Sequence, residues 1–77
     1  MNNTDRKVLA EILQRLEVVI SDLNEVYEQE DTKFSNLPDG LQGAPIGEKI
    51  MTGLESMSDA TADLDNALNT LNELLNA

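Results

Sequence analysis

The sequence predicts an all-α protein: a long antiparallel two-helix hairpin that dimerises into a four-helix bundle. Three observations predict it. Apolar residues recur at steps of three and four in two segments of about thirty residues each, the helical period. Both prolines and two of the four glycines fall together between those segments. The chain has only 77 residues and no cysteine, so one small domain must find its stability without disulfides.

The first helix is expected over about residues 4–34. Its apolar positions are Leu9, Ile12, Leu13, Leu16, Val19, Ile20, Leu23, Val26 and Tyr27. Written as a heptad, Leu9, Leu16 and Leu23 are a, while Ile12, Val19 and Val26 are d. Leu13, Ile20, Tyr27 and Phe34 fill e. A stripe three columns wide exceeds a strict coiled-coil seam and suits a bundle. Asn3 or Thr4 is the expected N-cap, with Asp5 in the first turn.

The loop is expected over 35–45. Pro38-Asp39-Gly40 is a turn signal, because Pro fixes φ and Gly tolerates positive φ. Leu37 and Leu41 are expected to fold back onto the helix ends. Pro45 suits the first position of the next helix.

The second helix is expected over about 46–76. Ile50, Met57, Leu64 and Leu71 are d, and Leu54, Thr61, Leu68 and Leu75 are a. Thr61 is the one polar a position and can set register. The g column reads Gly53, Ala60, Ala67, Leu74, a shallow stripe suited to close helix approach in the hairpin or the dimer. Two helices of this length make a hairpin roughly 45 Å long at 1.5 Å per residue. A lone hairpin leaves half of each stripe exposed, which is why a homodimer is expected. A monomeric hairpin awaiting a different protein is the alternative.

Composition excludes much chemistry. There is no histidine, cysteine or tryptophan, which removes the commonest general base and the thiolate ligands. No phosphate loop, dinucleotide fingerprint or nucleophile elbow occurs. Di-metal bundle sites use a Glu-x-x-His pattern that is absent here. Asp59-x-x-x-Asp63-x-Asp65 lacks the central glycine of a calcium loop and sits on a helix. No enzyme, metal site or cofactor is therefore expected. No segment reaches the roughly 18 apolar residues of a membrane span, and the start has no signal-peptide core. A cytoplasmic protein without membrane contact is expected.

Fifteen acids against five bases give a net charge of −10, which argues against direct nucleic-acid contact. The same density can imitate a phosphate array and occupy a basic protein groove. Glu55, Asp59, Asp63 and Glu73 are the candidate acidic face, against the plainer reading of a solvated helix surface. The loop supplies a second candidate site: Asn36, Leu37, Pro38, Asp39, Leu41 and Gln42. Lys49 stands near the second helix's start, where the N–H groups around Ile46, Gly47 and Glu48 could bind an anion. The plainer reading of the loop is a folded cap on the bundle end.

One resemblance follows from the loop. Phe34-Ser35-Asn36-Leu37-Pro38-Asp39-Gly40-Leu41-Gln42-Gly43, then Gly47-Glu48-Lys49-Ile50-Met51, resembles short acidic helical proteins encoded by bacteriophages and prophages. In those an NLP-x-x-LQ loop followed by GE separates two helices. Gly43-Ala44-Pro45 departs from their usual polar link. The resemblance implies residence in the cytoplasm of a bacterial host cell. It also implies a stoichiometric inhibitor of a host enzyme or defence system. A sponge for a small anionic nucleotide signal, held at the loop, and a structural or assembly factor are the alternatives.

Overall fold

The computed structural model describes residues 1–77. It contains two long helices and one short one: α1 over Asn3–Ser35, α2 over Asp39–Gln42 and α3 over Pro45–Asn76. There is no strand. The long helices pack against each other along their length, giving extents of 58 × 15 × 13 Å. The radius of gyration is 17.4 Å, against roughly 11 Å for a compact chain of this size.

Asn2, rather than Asn3 or Thr4, caps α1: its side-chain oxygen accepts from the Asp5 N–H at 2.8 Å. The helix starts one residue earlier than the cap expectation allowed, so Asn3 and Thr4 lie inside its first turn. At the other end, Pro38 lacks an N–H and holds Leu37 out of helical geometry. α1 therefore ends at Ser35, with Asn36 as its C-cap. Pro38 then starts α2 by accepting from Leu41 at 2.8 Å and from Gln42 at 3.3 Å. Much of the expected loop is thus helical. No glycine has positive φ, so Gly40 serves as a helical residue and the expected left-handed turn does not form. Ala44 is extended and Pro45 occupies the first turn of α3.

Seven heptad columns compete for a seam that one partner helix can cover. In α1 the winners are a and e: Leu13 and Ile20 are buried, while Leu9, Leu16, Leu23, Tyr27 and Phe34 are half-buried. The d column faces solvent, with Ile12 41%, Val19 51% and Val26 46% exposed. The reason is area. Leu, Ile, Tyr and Phe withdraw more apolar surface than Val, at about 25 cal/mol per Å². A single partner covers two columns, so the column dominated by valine is left out. In α3 the expected a and d columns do form the seam, with Leu54 buried and Ile50, Met57, Leu64, Leu68, Leu71 and Leu75 half-buried.

Arg6 closes the open end of the hairpin. Its guanidinium donates to the Leu75 backbone oxygen at 2.8 Å and to that of Ala77 at 2.9 Å. A cation there also meets the negative end of the α3 dipole. At the loop end Gly47 is buried because α2 lies directly on it. A Cβ at Gly47 would collide with the Gln42 carbonyl oxygen, and would sit 2.6 Å from the Gln42 carbonyl carbon and 2.7 Å from the Leu41 oxygen. Gly53 is different: a Cβ there meets nothing within 4 Å, and Ala60 and Ala67 are exposed. The small g column therefore does not serve close packing inside the hairpin. The half-buried Thr61 spends its hydroxyl within its own helix, donating to the Met57 carbonyl at 2.8 Å.

Candidate functional site

The loop candidates divide by what their side chains touch. Gln42 donates from Nε2 to the Phe34 carbonyl at 3.4 Å and to the Leu37 carbonyl at 3.3 Å, tying α2 to the end of α1. Leu37 is half-buried, but Leu41 stays 45% exposed. Within α2 it is Gln42, not Leu41, that is turned toward the end of α1, so the expected folding-back of Leu41 does not occur. Asn36, Pro38 and Asp39 are exposed. Lys49 is exposed on α3. At the start of that helix the Glu48 N–H already donates to Ala44 at 3.0 Å, and Gly47 lies beneath α2. Gln42 thus stitches the loop to the end of α1, and Leu41 is the loop's one exposed leucine.

The acidic candidates are all exposed: Glu55, Asp59, Asp63 and Glu73. Glu55 and Asp59 line one shallow depression between the helices, together with Tyr27, Asp31, Met51, Leu54 and Ser58. Asp63 lies one turn beyond Asp59, and Glu73 is about 15 Å further along the axis at 1.5 Å per residue. The four run along the helix rather than converge, and no group of three or more carboxylates forms a cation site. The chain's single salt bridge joins Lys33 to Glu30 at 2.8 Å. Fifteen acids against five bases leave the surface with a net charge of −10.

A third surface emerges that the candidates above did not include. Tyr27 and Asp31 meet Met51, Glu55 and Ser58 at one edge of the hairpin, so the e and b columns of both helices share that edge. The opposite edge therefore carries the d column of α1 and the g column of α3. Arg6 beside Leu75 and Tyr27 beside Leu54 set the antiparallel register. Val8 is then about level with Leu74, Ile12 with Ala67, Val19 with Ala60 and Val26 with Gly53. Val8 and Leu74 are each 48% exposed. In a chain of fifteen acids, neither the d column from Ile12 to Val26 nor the g column from Gly53 to Leu74 contains one. The signal for this face was the three-column stripe of α1, which named the surplus column only once packing chose the other two.

No helix is long and apolar enough to cross a membrane. No known protein family, curated protein or solved structure matches the chain.

Proposed function

We propose that this chain is a non-catalytic helical binding protein that works as a homodimeric four-helix bundle. The unpartnered apolar edge, Val8, Ile12, Val19 and Val26 beside Gly53, Ala60, Ala67 and Leu74, carries the reading. Its burial is needed as well as possible. The hairpin exposes 5575 Å², about 900 Å² more than a folded monomer of 8.5 kDa is expected to show. A standard interface removes about 800 Å² from each partner. Only four residues are buried in the single chain, so a second copy completes the core that one hairpin lacks.

Dimerisation through that edge would leave most of the acids outside. Glu55, Asp59, Asp63 and Glu73 belong to that outer field, which favours a protein with a basic surface as the onward partner. By the phage resemblance that partner would be a host enzyme or defence protein, with inhibition by occupancy as the mechanism. The net charge of −10 favours this over a nucleotide sponge, whose anionic ligand it would repel.

The test is retention of bacterial proteins on the immobilised chain at about 50 and 500 mM salt, where screening lengths differ about threefold. A variant carrying Glu55→Gln, Asp59→Asn, Asp63→Asn and Glu73→Gln runs in parallel. A stoichiometric partner held at low salt and lost both at high salt and with the variant is expected. A partner insensitive to both, or none, overturns the inhibitor reading. Light scattering on the same samples tests the dimer, and a monomeric mass across the concentration range overturns that part.

A further inference from the structure

We infer that the dimer is isologous and antiparallel through α1, with its two-fold axis at Val19 and reciprocal Arg15–Asp22 pairs on either side; this rests on the dimeric reading above.

The inference comes from the row that runs down the open edge of α1: Asp5, Val8, Ile12, Arg15, Val19, Asp22, Val26, Gln29 and Lys33. All nine are exposed. They alternate between the d and g columns, steps of three and four, so they form one continuous line on the helix. Laid against its own reverse, the line is self-complementary. Val19 faces Val19 of the second copy and Ile12 faces Val26. Arg15 faces Asp22, Val8 faces Gln29, and Asp5 faces Lys33. A closed two-fold contact requires that residue i meet j while j meets i, and every pair in this row obeys it.

Charge selects this arrangement over the parallel one. With parallel helices each residue meets its own copy, so Asp5, Arg15, Asp22 and Lys33 would each face a like charge. Antiparallel pairing turns all of these into opposite-charge contacts. Arg15 and Asp22 make no ion pair within the chain, whose one salt bridge lies elsewhere. They are free to pair across the axis. Arg15 is also the only base on α1 between Lys7 and Lys33, so a strongly acidic helix places its one central cation one turn from the proposed axis.

The flank agrees. Gly53, Ala60 and Ala67 of α3 border the row, and nothing lies within 4 Å of a Cβ at Gly53. Side chains this small leave a shelf beside α1, so a second α1 can seat its valines without meeting long residues. Val18, 59% exposed, stands next to Val19 and widens the apolar patch at the axis.

The chain has no cysteine, so single cysteines report the register directly. Under mild oxidation Val19→Cys is expected to form covalent dimer about tenfold more completely than Ile12→Cys or Val26→Cys alone, because a disulfide needs Cα atoms within roughly 7 Å. An equal mixture of Ile12→Cys and Val26→Cys is expected to give the mixed dimer. Independently, Arg15→Asp or Asp22→Arg alone is expected to weaken dimerisation roughly tenfold in sedimentation equilibrium, since two exposed pairs become repulsive. The double exchange is expected to restore it to within about threefold of the natural chain. A dimer in which Ile12→Cys cross-links to itself, or in which the double exchange fails to restore affinity, overturns the register and leaves the dimeric reading standing. A chain that sediments as a monomer overturns both.

Discussion

Gly47→Ala should destabilise this protein, although alanine normally favours a helix. At an ordinary helical position the exchange gains about 0.8–1 kcal/mol. Here the added methyl would enter backbone: the Gln42 carbonyl group and the Leu41 oxygen, the latter at 2.7 Å. None of these atoms belongs to a side chain that can swing away. Relief requires α2 to lift from α3, which stretches the Gln42 bonds to Phe34 and Leu37, already 3.4 and 3.3 Å long. Overpacking of this kind costs typically 1–3 kcal/mol, and loss of the Gln42 tie adds about 0.5–1.5 kcal/mol. Set against the propensity gain, the net effect is a destabilisation centred near about 2 kcal/mol, within a span of about 0.5–3.5 kcal/mol. For a domain of this size that lowers Tm by about 5–15 °C. Gly40→Ala is the control, since a Cβ there meets nothing within 4 Å and φ is not positive. It should raise Tm by a few degrees through the unfolded state, about 0.4–1 kcal/mol. The assay is thermal unfolding followed by helical circular dichroism, at one protein concentration because a dimer's Tm depends on it. Equal stabilisation by both alanines would refute the seating of α2 on α3.

Three further outcomes follow from the packing. Leu13→Ala and Leu54→Ala remove two of the three buried apolar side chains and should each cost about 2–5 kcal/mol, read by urea unfolding. A loss below 1 kcal/mol, roughly that of an ordinary exposed-site change, would contradict their place in the core. Arg6→Gln should lower stability by about 0.5–1.5 kcal/mol and speed amide exchange at the C-terminal end of α3, while leaving the loop end unchanged. Because the chain carries a net charge of −10 and only one close ion pair, raising salt from about 10 to 150 mM should raise Tm as self-repulsion is screened; a falling Tm would mean that attractive pairs dominate.

The periods, the break between them and the start of α3 were legible because they depend on neighbours in the chain, whereas the short helix α2 inside the expected loop was not. Apolar steps of three and four mark helices wherever they occur. Pro38 ends α1 and Pro45 begins α3 through φ and a missing N–H, which are properties of proline itself. The cap slipped from Asn3 or Thr4 to Asn2, since three polar residues in a row can each fill that role and local chemistry separates them weakly. Gln42 was legible as a loop residue but not as a tie, because its acceptors on Phe34 and Leu37 come near only after the chain turns.

Sequence alone was enough for two long helices joined by a short connection, for the a and d seam of α3, and for an acidic exterior. Those follow from residue type and period. It could not choose two of the three apolar columns of α1, because all three are hydrophobic and the choice depends on which pair buries more area against α3. Packing made that choice in favour of the leucines, isoleucine and aromatics. It thereby moved Ile12, Val19 and Val26 to the surface, on the same edge as Gly53, Ala60 and Ala67. The role of Gly47 is likewise a matter of tertiary contact: only when α2 folds onto α3 does the absence of a side chain at that one position become a requirement.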